Sequence, residues 1–168
     1  MLKIRCSSIG KIMTNSRSKT ETLSKTTKTY LQQLALEEVY GIRKEFSSRY
    51  TDKGNQVERY GIDLCQDVLE LGLLYKNDDH FKNDYLTGTP DVNTDKTLLD
   101  IKSSYDGTTF PWFAEDIPNR DYFFQLQGYM ALTQKRKSLL CYCLLNTPEQ
   151  IVEDEIRRAH WQHHLIDE

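Results

Sequence analysis

The apolar residues Val57, Tyr60, Gly61, Leu64, Val68 and Leu71 recur at i, i+3 and i+4 intervals from about Lys53 to Leu71, and then the pattern changes. That spacing writes one apolar stripe along a helix, and Gly72 stands where a stop signal is expected. From Leu73 to Tyr105 the chain breaks into short stretches separated by Asn-Asp, Gly-Thr-Pro and Asn-Thr-Asp-Lys. This is the punctuation of adjacent strands joined by turns, and three strands fit. A helix running directly into paired strands points to an α/β unit.

The remaining segments extend that order. Residues 14 to 29 are rich in Ser, Thr and Lys and read as a basic loop. Tyr30, Leu31, Leu34, Ala35 and Val39 then fall at helical spacing, with Gly41 just past the end. Residues 106 to 120 read as a loop carrying Phe110, Trp112 and Phe113, followed by a helix from about Asp121 to Gln134. Ser138 to Leu145 has the length and apolar density of a buried strand, and Thr147-Pro148-Glu149 opens a final polar helix. The predicted order is α, α, β, β, β, α, β, α. A chain of 168 residues with no repeat or linker is expected to form one domain over residues 1–168.

No apolar run approaches the ~20 residues of a membrane helix, and the opening segment lacks the continuous apolar stretch of a signal peptide. A cytoplasmic location is expected. Cys6, Cys65, Cys141 and Cys143 are scattered through ordinary elements, which favours reduced thiols over a disulfide framework. Net charge is −3, but residues 1 to 53 hold 11 Lys+Arg against 5 Asp+Glu, leaving 11 against 20 in the remainder. The basic end suits a polyanion and the acidic remainder suits a metal ion, although an asymmetry of this size also arises by chance.

Three pieces carry candidate chemistry. In Gly88-Thr89-Pro90-Asp91, proline restrains the backbone just before a carboxylate. In Leu98-Leu99-Asp100-Ile101-Lys102, strand alternation sends Asp100 and Lys102 to one side and Leu99 and Ile101 to the other. Glu58 flanks the apolar stripe of the second helix. Hard oxygen donors suit Mg²⁺, which takes one or two carboxylates and completes its shell with water and substrate phosphate. Asp91 and Asp100 are the candidate ligands. Lys102 can orient and help deprotonate an attacking water, or hold the charge that develops on phosphorus-bound oxygens. Downstream, Gln125 and Tyr129 are four residues apart and share a helix face.

With those residues in order, the chain resembles the PD-(D/E)XK nucleases, and within them the lambda-exonuclease or YqaJ-like viral recombinases. The likeness runs from about Ile4 to Leu145. Gly54 to Glu58 resembles the family's glycine-to-glutamate helical motif, Gly88 to Asp91 its PD motif, and Asp100-Ile101-Lys102 its (D/E)XK. Gln125 to Tyr129 is similar to the QxxxY helix of the RecB-type nucleases. The opening Arg5-Cys6-Ser7-Ser8-Ile9-Gly10-Lys11 resembles the segment that meets the 5′-terminal phosphate in the viral exonucleases. The resemblance implies a restriction-endonuclease-like αβββαβ core with a mixed central sheet flanked by helices. It also implies Mg²⁺, with Mn²⁺ as substitute, held by Glu58, Asp91, Asp100 and the main-chain carbonyl of Ile101. The implied substrate is double-stranded DNA, digested 5′ to 3′ to leave a 3′ single-stranded tail in a bacterial or phage-infected cytoplasm. A strand-annealing partner and a ring-shaped homotrimer are implied as well. Two departures stand out: Asp100 where viral exonucleases commonly carry glutamate, and a chain shorter than typical processive members.

Each candidate has a plainer alternative. Glu58 can be a solvated helix residue, and Gln125 and Tyr129 can pack a helix against a sheet rather than position DNA or the nucleophile. Arg5, Ser8 and Lys11 suit phosphate capture, or stand exposed without a task. The Phe110-Trp112-Phe113 cluster is expected to be buried under its loop, the other role being stacking on a frayed base. Cys141 and Cys143, a C-x-C pair in an apolar strand, read as core thiols and not as part of an iron–sulfur cluster. His160, His163 and His164 read as surface residues. A structure-selective endonuclease and a silent DNA-binding module are the competing functions.

Overall fold

The computed structural model describes residues 2–42 and 48–164, with side chains described to residue 158. Among the described residues eleven α-helices and strands follow one another: β1 (Ile4–Arg5), α1 (Ile9–Ile12), α2 (Lys25–Tyr40), α3 (Arg49–Leu69), β2 (Phe81–Lys82), β3 (Leu86–Gly88), β4 (Val92–Asn93), β5 (Leu98–Ser104), α4 (Arg120–Thr133), β6 (Ser138–Leu144) and α5 (Glu149–His164). A 3₁₀ turn, Cys6–Ser8, joins β1 to α1. The α/β class expected from the sequence is what forms. The strands are hydrogen-bonded as two three-stranded sheets, in the orders β1-β3-β2 and β4-β5-β6.

Several boundaries differ from the sequence reading for identifiable reasons. α2 starts at Lys25, inside the segment read as a loop, because the Ser24 hydroxyl caps it by accepting from Thr27 N at 3.0 Å. Gly41 ends it as expected, in the left-handed region at φ 66°. α3 starts at Arg49 because Ser48 and Thr51 form a reciprocal capping box, and Glu70, not Gly72, takes the left-handed stop position. Four strands, not three, occupy residues 73 to 105, and β1 was not foreseen. The buried stripe of α3 is Lys53, Val57, Gly61, Ile62 and Cys65, whereas Tyr60, Leu64 and Val68 are exposed. The true stripe thus follows an i, i+4 ladder whose first member is a lysine, which an apolar pattern cannot register.

The residues cluster into two compact units, each discontinuous in sequence: 1–46, 74–100 and 113–140 in the first, and 47–73, 101–112 and 141–168 in the second. In the first, Cys6, Leu98 and Tyr129 form a buried cluster against which Ile9, Met130 and Leu132 pack. Side chains approach the glycine backbones closely there: a Cβ on Gly88 would lie 2.7 Å from Tyr129 Cε1, and one on Gly128 would run into Ile9 Cδ1.

In the second unit the Lys53 ammonium is buried and donates to three main-chain carbonyls: Ser104 at 2.9 Å, Tyr105 at 2.7 Å and Leu145 at 2.6 Å. It ties the start of α3 to the ends of β5 and β6, and burial holds it below the ordinary lysine range against the opposing charge of Asp106. Arg49 pairs with Glu155 at 2.9 Å and lies over the Tyr50 and Tyr105 rings. The aromatic loop is not buried as expected: Trp112 is 61% and Phe113 97% exposed. Trp112 is held locally instead, donating to Gly107 O at 2.7 Å and packing edge-on against Phe110.

None of the four cysteines is joined in a disulfide, in line with the reduced thiols expected. Cys143 is held well above the usual thiol range by its bond to Cys65 and by burial. Among the described residues no helix is long and apolar enough to cross a membrane. The surface reading of His160, His163 and His164 lies outside the described side chains.

Candidate active site

The hairpin between β4 and β5 sets the site. These strands pair antiparallel with Val92 opposite Leu99 and Asn93 opposite Leu98. Continuing that register by one residue sets Asp91 across from Asp100, the closest cross-strand relation a sheet offers. The eight residues between the two aspartates are therefore the length of the hairpin that brings them together. Asn77, which the sequence reading treated only as turn punctuation, pins the entry: its N–H donates to Asp91 O at 2.8 Å and its Nδ2 to Pro90 O at 3.0 Å.

Asp100 is almost fully enclosed, at 1% exposure. Gln125 Nε2 donates to its Oδ1 at 3.0 Å and to the Tyr129 hydroxyl at 2.9 Å. Both α4 residues are buried, and their four-residue separation places them on one face, as expected. Oδ2 of Asp100 makes no hydrogen bond. Burial pushes the Tyr129 hydroxyl well above the ordinary phenol range, the charge of Asp100 and then that of Asp91 push it further, and the Gln125 bond works against them. Asp91, Asp100, Gln125 and Tyr129 thus form one electrostatically connected group in the first unit. Glu58, half-buried on α3, and Lys102, half-buried two residues beyond Asp100 on β5, belong to the second unit.

Like charges directly opposite one another across a strand pair repel, and a hard cation between them removes that repulsion. The donors present, two aspartates followed by the Ile101 carbonyl, are all oxygen and suit Mg²⁺ or Mn²⁺. Among the described residues no group of three or more His, Cys, Asp or Glu side chains is placed to hold a metal. Mg²⁺ needs only one or two carboxylates when phosphate and water supply the rest.

The opening segment divides. Arg5 Nη1 meets both carboxylate oxygens of Glu37, at 3.0 and 2.9 Å. It lines a cavity of about 540 Å³ that also includes Lys3, Ser7, His80, Thr87, Thr89 and Tyr129. Ser8 is buried in the 3₁₀ turn, and Lys11 is exposed with its ammonium 5.3 Å from the Tyr30 ring centre. His80 was not singled out from sequence, because only strand register shows where it stands.

No model of a protein family and no curated protein matches the chain. Solved structures do. A phage-related exonuclease from Haemophilus somnus 129PT superposes with a TM-score of 0.80 at 30% identity, over 89% of this chain and 71% of that one. The alkaline exonuclease of Laribacter hongkongensis matches with a TM-score of 0.66 at 18% identity, over 89% and 73%. A structure of that same enzyme in complex with dAMP gives 0.67 at 20% over the same shares. A mixed α/β core with two aspartates facing across a hairpin and this likeness define the class as nuclease. The chain belongs to the phage-related exonucleases, the YqaJ and lambda-exonuclease group of the PD-(D/E)XK nucleases.

Proposed function

We propose that this nuclease is a divalent-metal-dependent exonuclease that hydrolyses phosphodiester bonds at the ends of double-stranded DNA. It works 5′ to 3′ and leaves a 3′ single-stranded tail for recombination or repair in a bacterial or phage-infected cytoplasm. The observation that carries this reading is the cross-strand opposition of Asp91 and Asp100, which concentrates negative charge where substrate phosphate must also come. Asp91, Asp100 and the Ile101 carbonyl would hold Mg²⁺, or Mn²⁺ in its place; the ligand role that the family resemblance implies for Glu58 is not part of this proposal, because no group of three carboxylates among the described residues is placed to share an ion. The ion would supply polarisation of the scissile phosphate and neutralisation of the leaving oxygen.

The protein groups do the rest. Gln125 holds one oxygen of Asp100 and so fixes the plane of that carboxylate, while Tyr129 closes the other side of the amide. Lys102, on the same strand face as Asp100 by alternation, orients the attacking water or neutralises charge on the phosphate as it forms. Arg5, Ser8 and Lys11 belong to the segment that meets the terminal phosphate. Direct hand-over of the 3′ tail to a strand-annealing protein, and assembly of this chain into a trimer around the duplex, complete the proposal.

Pure protein with Mg²⁺ should degrade linear duplex DNA, spare covalently closed circles and stop on addition of a chelator. Nicking of circles would make it a structure-selective endonuclease on the same scaffold. Absence of any cleavage would leave a DNA-binding module.

A further inference from the structure

Three of the four thiols belong to the second unit, and neither the carboxylate pair nor the basic segment accounts for them. Cys141 and Cys143 alternate with Tyr142 along β6 and so project to one face, where α3 sets Cys65 against them. Cys65 Sγ lies 3.9 Å from Cys143 Sγ, sulfur in contact with sulfur, and the Cys141 and Cys143 thiols both hydrogen-bond to it. Gly61, about one turn earlier on α3, makes this approach possible: a Cβ there would lie 2.9 Å from Ile101 Cγ2 and 3.8 Å from Cys143 Sγ. Lys53 already fastens the start of α3 to Leu145 O at the end of β6. The thiols form a second meeting point of helix and strand about three turns further along.

Cysteines that only fill a core are alike in being enclosed and inert; these three differ from one another. Cys65 and Cys143 are 5% and 2% exposed, whereas Cys141 is half-buried. A small oxidant therefore reaches Cys141 first. The donors Cys141 and then Cys143 pull the Cys65 thiol below its usual range against the effect of burial, while the bond to Cys65 and burial hold Cys143 above it. The group thus contains one accessible sulfur, one favoured as the thiolate and one that keeps its proton. Thiolate character makes a sulfur the attacking partner when a disulfide forms. Among the described residues no group of three such side chains is placed to hold a metal, so the chemistry open to these sulfurs is with one another.

We propose that Cys141 and Cys65 form a peroxide-responsive modification site that closes a reversible disulfide between β6 and α3. The Cys141 sulfur attacks a hydroperoxide: an S–O bond forms, the O–O bond breaks and water leaves, so Cys141 becomes a sulfenic acid. The Cys65 thiolate then attacks that sulfur. The S–S bond forms, the S–O bond breaks, and the departing hydroxide takes the proton Cys65 gave up to become a second water. Two thiols are oxidised and one peroxide is reduced; Cys143 stays a thiol, and a dithiol reductant restores the starting state. The test exposes the reduced full chain to hydrogen peroxide near neutral pH, denatures it in N-ethylmaleimide and maps its peptides without reductant. The product should join the Cys65 and Cys141 peptides, leave Cys6 and Cys143 alkylated, melt about 5–10 °C higher than the reduced chain and revert with dithiothreitol. Cys65→Ser should stop at the Cys141 sulfenic acid, trapped by dimedone, whereas Cys143→Ala should still form the same link. The inference is overturned if wild type keeps all four thiols, if the link runs to Cys143 or Cys6 or joins two chains, if Cys65→Ser yields no trapped sulfenic acid at Cys141, or if the oxidised chain melts no higher. None of these readouts uses DNA, so they stand apart from the outcome of the nuclease reading.

Discussion

Gln125→Leu isolates the bond that ties α4 to β5. Gln125, Asp100 and Tyr129 are 7%, 1% and 5% exposed, so water cannot take over what the amide gives up. The bond to Asp100 involves a charged acceptor and is worth about 1.5–3 kcal/mol, and the one to the Tyr129 hydroxyl about 1 kcal/mol. Leucine fills the space but leaves both oxygens against methyl groups, so the variant should lose about 3 kcal/mol in urea unfolding. For a chain of this size that corresponds to a fall in Tm of roughly 6–12 °C. Tyr129→Phe alone should cost about 1 kcal/mol. Combined with Gln125→Leu it should add almost nothing, because the hydroxyl has already lost its partner. Strict additivity of the two, or a loss below about 1 kcal/mol for Gln125→Leu, would refute the shared-amide arrangement.

Three further outcomes follow from the same geometry. Lys53→Met leaves three strand-end carbonyls without their donor and should lower stability by about 3 kcal/mol, read from the urea midpoint. The folded chain keeps the Tyr129 proton to higher pH than the unfolded chain, so this group's contribution to stability falls as pH rises past the ordinary phenol value. Tyr129→Phe should flatten that alkaline decline in Tm. Burial holds the Cys6 thiol up at about 11, so iodoacetamide at pH 8 should label half-buried Cys141 well before Cys6, as peptide mass spectrometry would show.

Much of this site is visible in the sequence because its parts are local. Asp100 and Lys102 alternate on one strand, a single turn separates Asp91 from Asp100, and Gln125 and Tyr129 obey helical spacing. What escaped depends on register or on polar residues doing apolar work. His80 acquires meaning only when β2 pairs with β3, and Asn77 only when its side chain reaches Pro90 O. Lys53 occupies the buried ladder of α3 because three carbonyls converge on its ammonium, which no hydropathy pattern encodes. β1 is two residues long, too short for any periodicity. The start of α2 was hidden because Ser24 and Thr27 look like loop residues when they are in fact its cap. Phe113 was expected inside because aromatic rings carry large apolar surface, yet its loop is held by Asp106, Thr108 and Thr109 hydrogen bonds that do not involve the ring.

The most direct measurement is nucleotide release from linear duplex DNA with Mg²⁺ by Asp100→Asn, compared with wild type at equal folded protein. The substitution keeps the shape and one oxygen but removes the charge facing Asp91. Release should fall by a factor of about 10³ or more, the scale of losing a charged group that acts on the transition state. Release at the wild-type rate, or undiminished wild-type release in excess chelator, would contradict the assignment of these two aspartates to metal-assisted hydrolysis.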